Sequence, residues 1–243
     1  MKAVILAAGD GGRLGRDIPK ILLELHGKSL LEYHVDGLQQ LKIEEIILIT
    51  GFRKELIDEH MKKKNLSEKI KIKFVVNDKH DIYENGYSVL CAKGHVKEPF
   101  LMFMGDHLIH YPILKPLLQK DHSTLKGILE VVDSDAKYMQ ADRATRVLIH
   151  NLVIEDSGKK IENFNALDTG FFILTPHVFD ILERNKEQGK TEWNDCVVHF
   201  LQQGIPTFDI KSNFWLGINT EEEFAHAERI LHTLASGTKH HYL

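Results

Sequence analysis

Short hydrophobic runs are spaced along the chain, and their pattern predicts the strands. Residues 2–8 form an apolar run that ends in glycines, and residues 45–50 form a second run. Residues 100–104 are apolar throughout, as expected for a central strand covered on both faces. Within residues 70–74, isoleucine and phenylalanine alternate with lysine, which predicts a half-exposed strand nearer an edge of the sheet.

Helical periodicity fills the intervals between these runs. Ser29 and Glu32 have the spacing of a capping box, and apolar residues then recur at helical intervals up to Leu41. A charged helical stretch covers residues 53–63, and a second capping box at residues 220–223 begins a C-terminal helix. Strands that alternate with helices predict an α/β fold, with a Rossmann-like, doubly wound, mostly parallel mixed sheet.

The middle of the chain has a different pattern. Short segments at 145–149, 152–155 and 160–164 are separated by tight-turn residues, so we expect small antiparallel strands there. No linker rich in proline, glycine or serine divides the chain. The sequence therefore predicts a single domain over residues 1–243, with approximately 133–166 as a small antiparallel β insertion that forms a side wall.

Composition and charge exclude several classes of protein. The 243 residues are 43% hydrophobic and 27% charged, as in ordinary globular proteins, and no apolar stretch approaches the roughly 20 residues that cross a bilayer. The N-terminal apolar run is followed directly by glycines and charged residues, so we do not expect it to be a secretory signal peptide. A net charge of −4 disfavours nucleic-acid binding, and Cys91 and Cys196 lack the spacing of zinc or redox motifs. We expect a cytoplasmic protein with reduced thiols, no nucleic-acid partner and no direct membrane insertion.

The most informative chemistry follows the first strand. Gly9, Gly11 and Gly12 allow a tight turn with exposed N–H groups, and Arg13 and Lys20 add two cations. This combination suits a triphosphate, because N–H groups enclose phosphate oxygens while the cations offset the charge on a departing pyrophosphate. The predicted nucleotide-binding residues of this glycine loop are Leu6, Ala7, Ala8, Gly9, Asp10, Gly11, Gly12, Arg13 and Lys20.

Two other glycine-rich motifs fit this loop less well. The Walker pattern GxxxxGK[ST] is absent. A dinucleotide fingerprint requires glycine where this chain has Leu14, and residues 50–52 after the second strand supply no acid for a ribose. An NAD-binding oxidoreductase is therefore the weakest alternative. A glycine-rich turn that served only steric needs would not require Arg13 and Lys20 together.

The loop resembles the signature of nucleotidyltransferases that join a nucleoside triphosphate to a phosphorylated sugar or alcohol. Residues 85–88 resemble the base-side motif of cytidylyltransferases for phosphorylated alcohols. Residues 104–107 and 167–172 are similar to segments of the CTP:inositol-1-phosphate cytidylyltransferases, and residues 214–220 lie where that family has its last metal-binding motif. The similarity extends from the first strand to the last helix.

This resemblance implies roles for residues beyond the glycine loop. It implies that Asp106 and Asn219 bind Mg²⁺, although close members have Asp-x-Asp where this chain has residues 217–219. The amide oxygen of Asn219 can still coordinate the ion. Two plainer alternatives stay open: Asp106 could cap the next helix, and Asn219 could be an ordinary loop residue. Arg13 and Lys20 are the implied catalytic residues. The resemblance adds Asn85, Gly86, Tyr87, Ser88, Gly105 and Asp106 to the nucleotide site, and assigns Lys159, Asp168, Thr169 and, more weakly, Arg146 to the acceptor.

Plainer roles remain open for several of these residues. Lys159 fits an exposed turn equally well, and Arg146 fits a strand surface. Tyr87 and Ser88 could serve packing and helix capping. His107, beside Asp106, fits either a supporting role at the site or an ordinary loop histidine.

The resulting hypothesis is Mg²⁺-dependent transfer of CMP from CTP to inositol 1-phosphate, which yields CDP-inositol and pyrophosphate. Some relatives join a similar domain to a membrane-embedded alcohol phosphotransferase, so we expect a separate membrane CDP-alcohol phosphotransferase to act downstream. The alternatives are a CTP-dependent transferase for phosphocholine or an aminoalkylphosphonate, a sugar-phosphate nucleotidyltransferase, and a catalytically degenerate nucleotide-sensing or scaffold protein.

Overall fold

Strands and helices alternate along the computed structural model, which describes residues 1–11, 15–211 and 213–237, with side chains through Thr233. The strands are β1 (Ala3–Ala7), β2 (Glu24–Leu25), β3 (Lys28–Ser29), β4 (Glu45–Thr50), β5 (Lys71–Val76), β6 (Phe100–Met104), β7 (His107–Ile109), β8 (Ile128–Asp133), β9 (Arg146–His150), β10 (Val153–Gly158), β11 (Ala166–Leu174), β12 (Ile205–Asp209) and β13 (Trp215–Gly217). The helices are α1 (Leu30–Gln40), α2 (Lys54–Lys63), α3 (Leu66–Lys69), α4 (Asn85–Leu90), α5 (Lys115–Leu118), α6 (Val178–Glu187), α7 (Trp193–Leu201) and α8 (Glu221–Gly237).

A nine-stranded sheet has the order β5-β4-β1-β6-β11-β8-β12-β10-β9. Strands β5, β4, β1 and β6 pair in parallel, whereas β11 runs antiparallel to β6 and β8. Strand β12 is parallel to β8, and β10 is antiparallel to β12 and β9. Within this sheet, all strands except β11 and β10 thus run in one direction, and the mostly parallel, mixed Rossmann-like sheet is confirmed.

Two hydrophobic layers cover the faces of this sheet. Successive residues of β1 alternate between them: Ala3 and Ile5 belong to one layer, and Val4 and Leu6 to the other. The first layer includes apolar residues of α1, α2 and α8, and the second those of α4, α6 and α7. Because strand side chains alternate in direction, a sheet buried on both faces requires the nearly continuous apolar runs seen in the sequence. No helix in the described ranges is both long enough and apolar enough to span a bilayer.

Local sequence signals account for the ends of several elements. The capping box predicted at Ser29 is formed: the Ser29 hydroxyl accepts from the Glu32 backbone N–H, and the Glu32 carboxylate accepts from the Ser29 N–H. Thr220 and Glu223 exchange the same pair of hydrogen bonds at the start of α8. Strand β5 lies at the sheet edge with alternating exposure, as its lysine pattern predicts.

The predicted strand at residues 160–164 is wrong, because this segment forms a turn. Strands β9 and β10 pair with each other and with β11 and β12, so they extend the main sheet. The side chain of Asn165 accepts from the Ile149 N–H and donates to the Ile149 carbonyl, at 2.8 Å each. This side chain therefore satisfies both backbone groups of Ile149 that a further strand would have paired.

Candidate nucleotide and acceptor site

A cavity of about 930 Å³ opens beside the carboxyl ends of β1 and β6. One wall is the start of the glycine loop, and the floor includes Gly105 and Asp106. The opposite walls come from the segment before α4, from β8 and β11, and from the start of α7. In open α/β sheets the crevice at the carboxyl ends of the strands is the usual position for a ligand, so this cavity is the candidate site.

The glycine loop lines the cavity from Leu6 through Gly11. Gly11 has a φ of +67°, and a Cβ atom there would come within 3.0 Å of Lys20 Cγ. Glycine therefore permits both the left-handed backbone and the close passage of the lysine. Gly12 and Arg13, which the sequence assigns to the phosphates, lie outside the described residues.

Three polar side chains from distant parts of the chain meet on the cavity floor. The Nζ atom of Lys20 donates to Oδ2 of Asp106 and to Oδ1 of Asn219, at 2.8 Å each. Burial by itself would raise the pKa of Asp106, but the Lys20 ammonium and His107 lower it well below its ordinary value. Asp106 is therefore a carboxylate at neutral pH, and the cluster holds one cation between two oxygen acceptors.

The backbone around Asp106 and Asn219 brings these two side chains together. Strands β7 and β13 form a short antiparallel pair, and the Ile218 N–H donates to the Asp106 carbonyl at 2.9 Å. The Nδ1 atom of His107 donates to Oδ1 of Asp106 at 2.8 Å. A Cβ atom at Gly217 would lie 2.8 Å from Nε2 of His107, so glycine at this departure from the family pattern leaves room for the imidazole.

A buried histidine supports the same loop from behind. His34 is fully buried, and burial lowers its pKa to about 4, so the ring is neutral at pH 7. Its Nε2 atom donates to the Gly105 carbonyl at 2.9 Å, and its Nδ1 atom accepts from the Tyr111 hydroxyl at 2.5 Å. These bonds fix the backbone immediately before Asp106.

The base-side segment contributes only part of its predicted residues to the cavity. Asn85 and Ser88 line it, and the Ser88 hydroxyl accepts from the Asn77 amide at 3.0 Å. Tyr87 instead contacts Tyr83, with ring centroids 4.7 Å apart, and does not line the cavity. Gly86 also lies outside the lining, and a Cβ atom there would approach the Thr191 carbonyl to 2.6 Å.

The residues assigned to the acceptor are divided by the structure. Lys159 is exposed and lines the cavity, as does Asp168, whose Oδ1 accepts from the Gly170 N–H at 2.7 Å. Burial raises the pKa of Asp168 to about 6, although the bond from Gly170 opposes the shift. Asp168 is thus an acidic group that gains a proton more readily than an exposed aspartate.

Thr169 and Arg146 lie outside the cavity lining, unlike the position that the resemblance implied for them. The Thr169 hydroxyl is buried and donates to the Val131 carbonyl at 2.7 Å. The Arg146 guanidinium donates to the carbonyls of Ala141 and Ile161, at 3.2 and 3.1 Å. Arg146 therefore holds the turn after β10, which carries Lys159.

The family model of the MobA-like NTP transferase domain matches residues 3–149, which include the glycine loop, Lys20 and Asp106. The chain belongs to this family. A bifunctional IPC transferase and DIPP synthase of Aquifex aeolicus is 30% identical over 234 residues, which cover 94% of the chain and 51% of that protein. The bifunctional protein GlmU of Methanococcus aeolicus is 31% identical over 209 residues, which cover 84% of the chain and 48% of that protein.

The chain thus spans about half the length of these curated relatives. Among solved structures, the inositol-1-phosphate CTP transferase from T. maritima superposes on this NTP transferase domain with a TM-score of 0.81 and 22% identity, covering 98% of each chain. This likeness confirms the nucleotidyltransferase fold.

Several residues that line the cavity of this NTP transferase domain were not predicted from the sequence. Ile82, at 68% exposure, and Glu84 come from the segment before α4, and Arg143 comes from the turn before β9. Glu130 and Trp193 line the wall opposite the glycine loop. Glu130 carried a usable signal, since it interrupts the apolar strand β8. Trp193 carried none, because a tryptophan at the start of a helix is usually part of the core.

Proposed function

We propose that the protein transfers CMP from CTP to inositol 1-phosphate and forms CDP-inositol and pyrophosphate. The main support is the cluster of Lys20, Asp106 and Asn219 on the cavity floor beside the glycine loop. The relative from Aquifex aeolicus, whose name includes IPC transferase, matches 94% of the chain and supports the acceptor. The proposal includes catalysis in the cytoplasm, followed by consumption of CDP-inositol by a membrane CDP-alcohol phosphotransferase.

The donor set on the cavity floor fits Mg²⁺. The carboxylate of Asp106 and the amide oxygen of Asn219 converge on one point, which the Lys20 ammonium occupies at 2.8 Å from each. Among the described residues, no group of three or more His, Cys, Asp or Glu side chains forms a complete metal cage. The Asp106 and Asn219 oxygens suit Mg²⁺, which typically takes one or two protein oxygens and completes its shell with phosphates and water. When bound by Asp106 and Asn219, Mg²⁺ would offset negative charge and orient the nucleotide phosphates.

Lys20 has two roles in this proposal. Without nucleotide, its ammonium compensates the partly buried Asp106 carboxylate, which would otherwise be costly to keep ionised. With CTP bound, the flexible side chain moves from Asp106 and Asn219 to the phosphates and neutralises charge that develops in the transition state. The N–H groups of the glycine loop enclose phosphate oxygens, and we assign Arg13 to the leaving pyrophosphate.

The reaction needs no base on the protein. An oxygen of the acceptor phosphate attacks the α-phosphorus of CTP, and the bond from the α-phosphorus to the pyrophosphate oxygen breaks. The attacking oxygen is already anionic near neutral pH, so catalysis consists of aligning two polyanions and compensating their charge. Lys159 would hold the acceptor phosphate, and Asp168 would contact the rest of the acceptor.

A pyrophosphate-release screen tests this function directly. It crosses CTP, UTP, ATP and GTP with inositol 1-phosphate, phosphocholine, an aminoalkylphosphonate and hexose phosphates. We expect release only with CTP and inositol 1-phosphate, and only when Mg²⁺ is present. Release confined to UTP and a hexose phosphate would show that the proposed substrates are wrong and that the protein is a sugar-phosphate nucleotidyltransferase. No release with any pair would favour a nucleotide-sensing or scaffold protein.

A further inference from the structure

Two buried polar atoms in the cavity wall have no hydrogen-bond partner within the described ranges. They are Oε1 of Glu130 and the indole Nε1 of Trp193, in side chains that are 1% and 4% exposed. Both residues line the cavity. Buried polar groups are paired in the large majority of cases, so two unpaired groups beside a substrate cavity indicate that a ligand completes them.

The fold places Glu130, Trp193 and Asp168 on one wall. Glu130 lies opposite Phe172 in the register of β8 and β11, and the Phe172 ring meets the Trp193 ring edge-on, with centroids 5.4 Å apart. Asp168 belongs to the same strand as Phe172 and faces the same cavity. The backbone N–H of Trp193 donates to Oδ1 of Asn85 at 2.8 Å, which fixes this wall against the base-side segment.

The hydrogen-bonding capacity of this wall is mixed. The indole N–H of Trp193 can only donate. Burial, reinforced by the neighbouring Asp168 carboxylate, raises the pKa of Glu130 well above its ordinary value, so Glu130 is a neutral acid that both donates and accepts. Asp168 in its ionised form accepts. A ligand for this wall must therefore offer both donors and acceptors.

A hydroxyl group meets that requirement, since it donates one hydrogen bond and accepts others. A trimethylammonium group does neither, and it would leave Glu130 and Trp193 unpaired. A phosphate could accept from Trp193 but would be repelled by Asp168. We propose that Glu130, Trp193 and Asp168 form a hydroxyl-binding subsite that recognises the polyhydroxylated ring of the acceptor and rejects head groups without hydroxyls. This inference rests on the proposed function, because it assigns the ring to a cavity wall beside the reacting phosphates.

Two substitutions remove the unpaired groups while keeping the wall filled. Trp193→Phe keeps an aromatic ring against Phe172 and deletes the N–H, and Glu130→Leu deletes the carboxyl group. We expect each to raise the KM for inositol 1-phosphate about tenfold, with the KM for CTP unchanged within twofold. Glu130→Gln, whose amide donates and accepts, should restore most of the acceptor affinity.

A matched control separates recognition from packing. Trp215 is also buried, but its indole N–H donates to Asp133 at 2.8 Å within the core. Trp215→Phe should lower the Tm and leave the ratio of the two KM values unchanged. Inositol 1-phosphate analogues that each lack one hydroxyl sharpen the assignment. Compared with inositol 1-phosphate, at least one analogue should bind about tenfold more weakly to the wild type. The same analogue and inositol 1-phosphate should bind equally well to Trp193→Phe.

Failure of this subsite and failure of the proposed function give different results. If the wild type uses inositol 1-phosphate but folded Trp193→Phe and Glu130→Leu keep its KM, the subsite is wrong and the function stands. If the wild type does not use inositol 1-phosphate, the function is wrong. Calorimetry with the α,β-methylene analogue of CTP then tests the subsite alone. The subsite is supported if a hexose phosphate binds the wild type and binds Trp193→Phe more weakly. It is overturned if phosphocholine is the only acceptor that binds, or if no acceptor binds.

Discussion

On the proposed nucleotide side of the cavity (the glycine loop, Lys20, Asp106 and Asn219), the polar groups come from loops and turns that lie close to short strands. On the proposed acceptor side (Glu130, Lys159, Asp168 and Trp193), most come from within strands and from the first turn of a helix. The first side compensates its partly buried carboxylate with a lysine at 2.8 Å, whereas the second retains a buried acid whose Oε1 atom has no hydrogen-bond partner in the described chain. An ion pair within the protein therefore marks one side, and an unpaired hydrogen-bonding group marks the other.

This difference matches what each half of a transferase must bind. A nucleotide tail and a metal ion need fixed charges, which a lysine and a carboxylate supply. A polyhydroxylated ring needs donors and acceptors without net charge. The following experiments test whether the two sides are as separate as their construction indicates, beginning with the largest expected effect.

Removing the carboxylate on the nucleotide side should have the largest effect. We expect Asp106→Ala to lower kcat by about 10²–10³-fold, because the site loses a fixed charge and a predicted metal ligand. Steady-state kinetics at saturating Mg²⁺ measure this change, and a thermal melt serves as the control for folding. Near-normal Mg²⁺-dependent turnover would show that Asp106 is not part of the reacting centre.

Lys20→Ala should separate metal binding from catalysis. The ammonium lies between Asp106 and Asn219, so its removal should strengthen Mg²⁺ binding in the absence of nucleotide. The same variant should lower kcat by about 10²-fold, because the cation that reaches the phosphates is lost. Calorimetric titration with Mg²⁺ and steady-state kinetics give the two values. Weaker Mg²⁺ binding together with unchanged turnover would contradict both roles.

Glu130→Gln should change the pH dependence of stability on the acceptor side. The folded-state pKa of Glu130 lies well above its ordinary value of 4.5, so folding takes up a proton between these two values. The free energy of unfolding of the wild type should therefore fall, through this group, by at most about 1.4 kcal/mol per pH unit as the pH rises. The variant lacks this loss, so its stability relative to wild type should increase from pH 5 to pH 7.

Urea denaturation at several pH values measures that difference. A stability difference between Glu130→Gln and wild type that stays constant from pH 5 to pH 7 would show that Glu130 is ionised in the folded protein. The acceptor side would then be as charged as the nucleotide side.

Thr169→Val should have the smallest effect. The Thr169 hydroxyl donates to the Val131 carbonyl away from the cavity, so its loss should cost about 1 kcal/mol of stability. The KM for inositol 1-phosphate should not change. A raised KM in a stable variant would return Thr169 to the acceptor side, as the family resemblance implies.

The sequence predicted features that depend on neighbouring residues in the chain. The capping boxes at Ser29 and Thr220 and the edge strand β5 are examples, because capping and strand alternation are local properties. The glycine loop was recognisable for the same reason. The prediction that this loop lies close to Asp106 and Asn219 came from the family resemblance, since these residues are far apart in the sequence.

Features that depend on register and packing were not predictable in the same way. Glu130 and Trp193 become neighbours of one cavity only through the pairing of β8 with β11 and the docking of α7. The expected strand at 160–164 failed because the Asn165 side chain pairs with Ile149. Nothing in the local pattern reveals that a single side chain will satisfy a strand edge.

The most direct test is a crystal structure with CTP and Mg²⁺ bound. We expect the triphosphate against the glycine loop, Mg²⁺ on Asp106 and Asn219, and the Lys20 ammonium moved onto phosphate oxygens. A nucleotide bound elsewhere, with Lys20 still bonded to Asp106 and Asn219, would contradict the proposed centre.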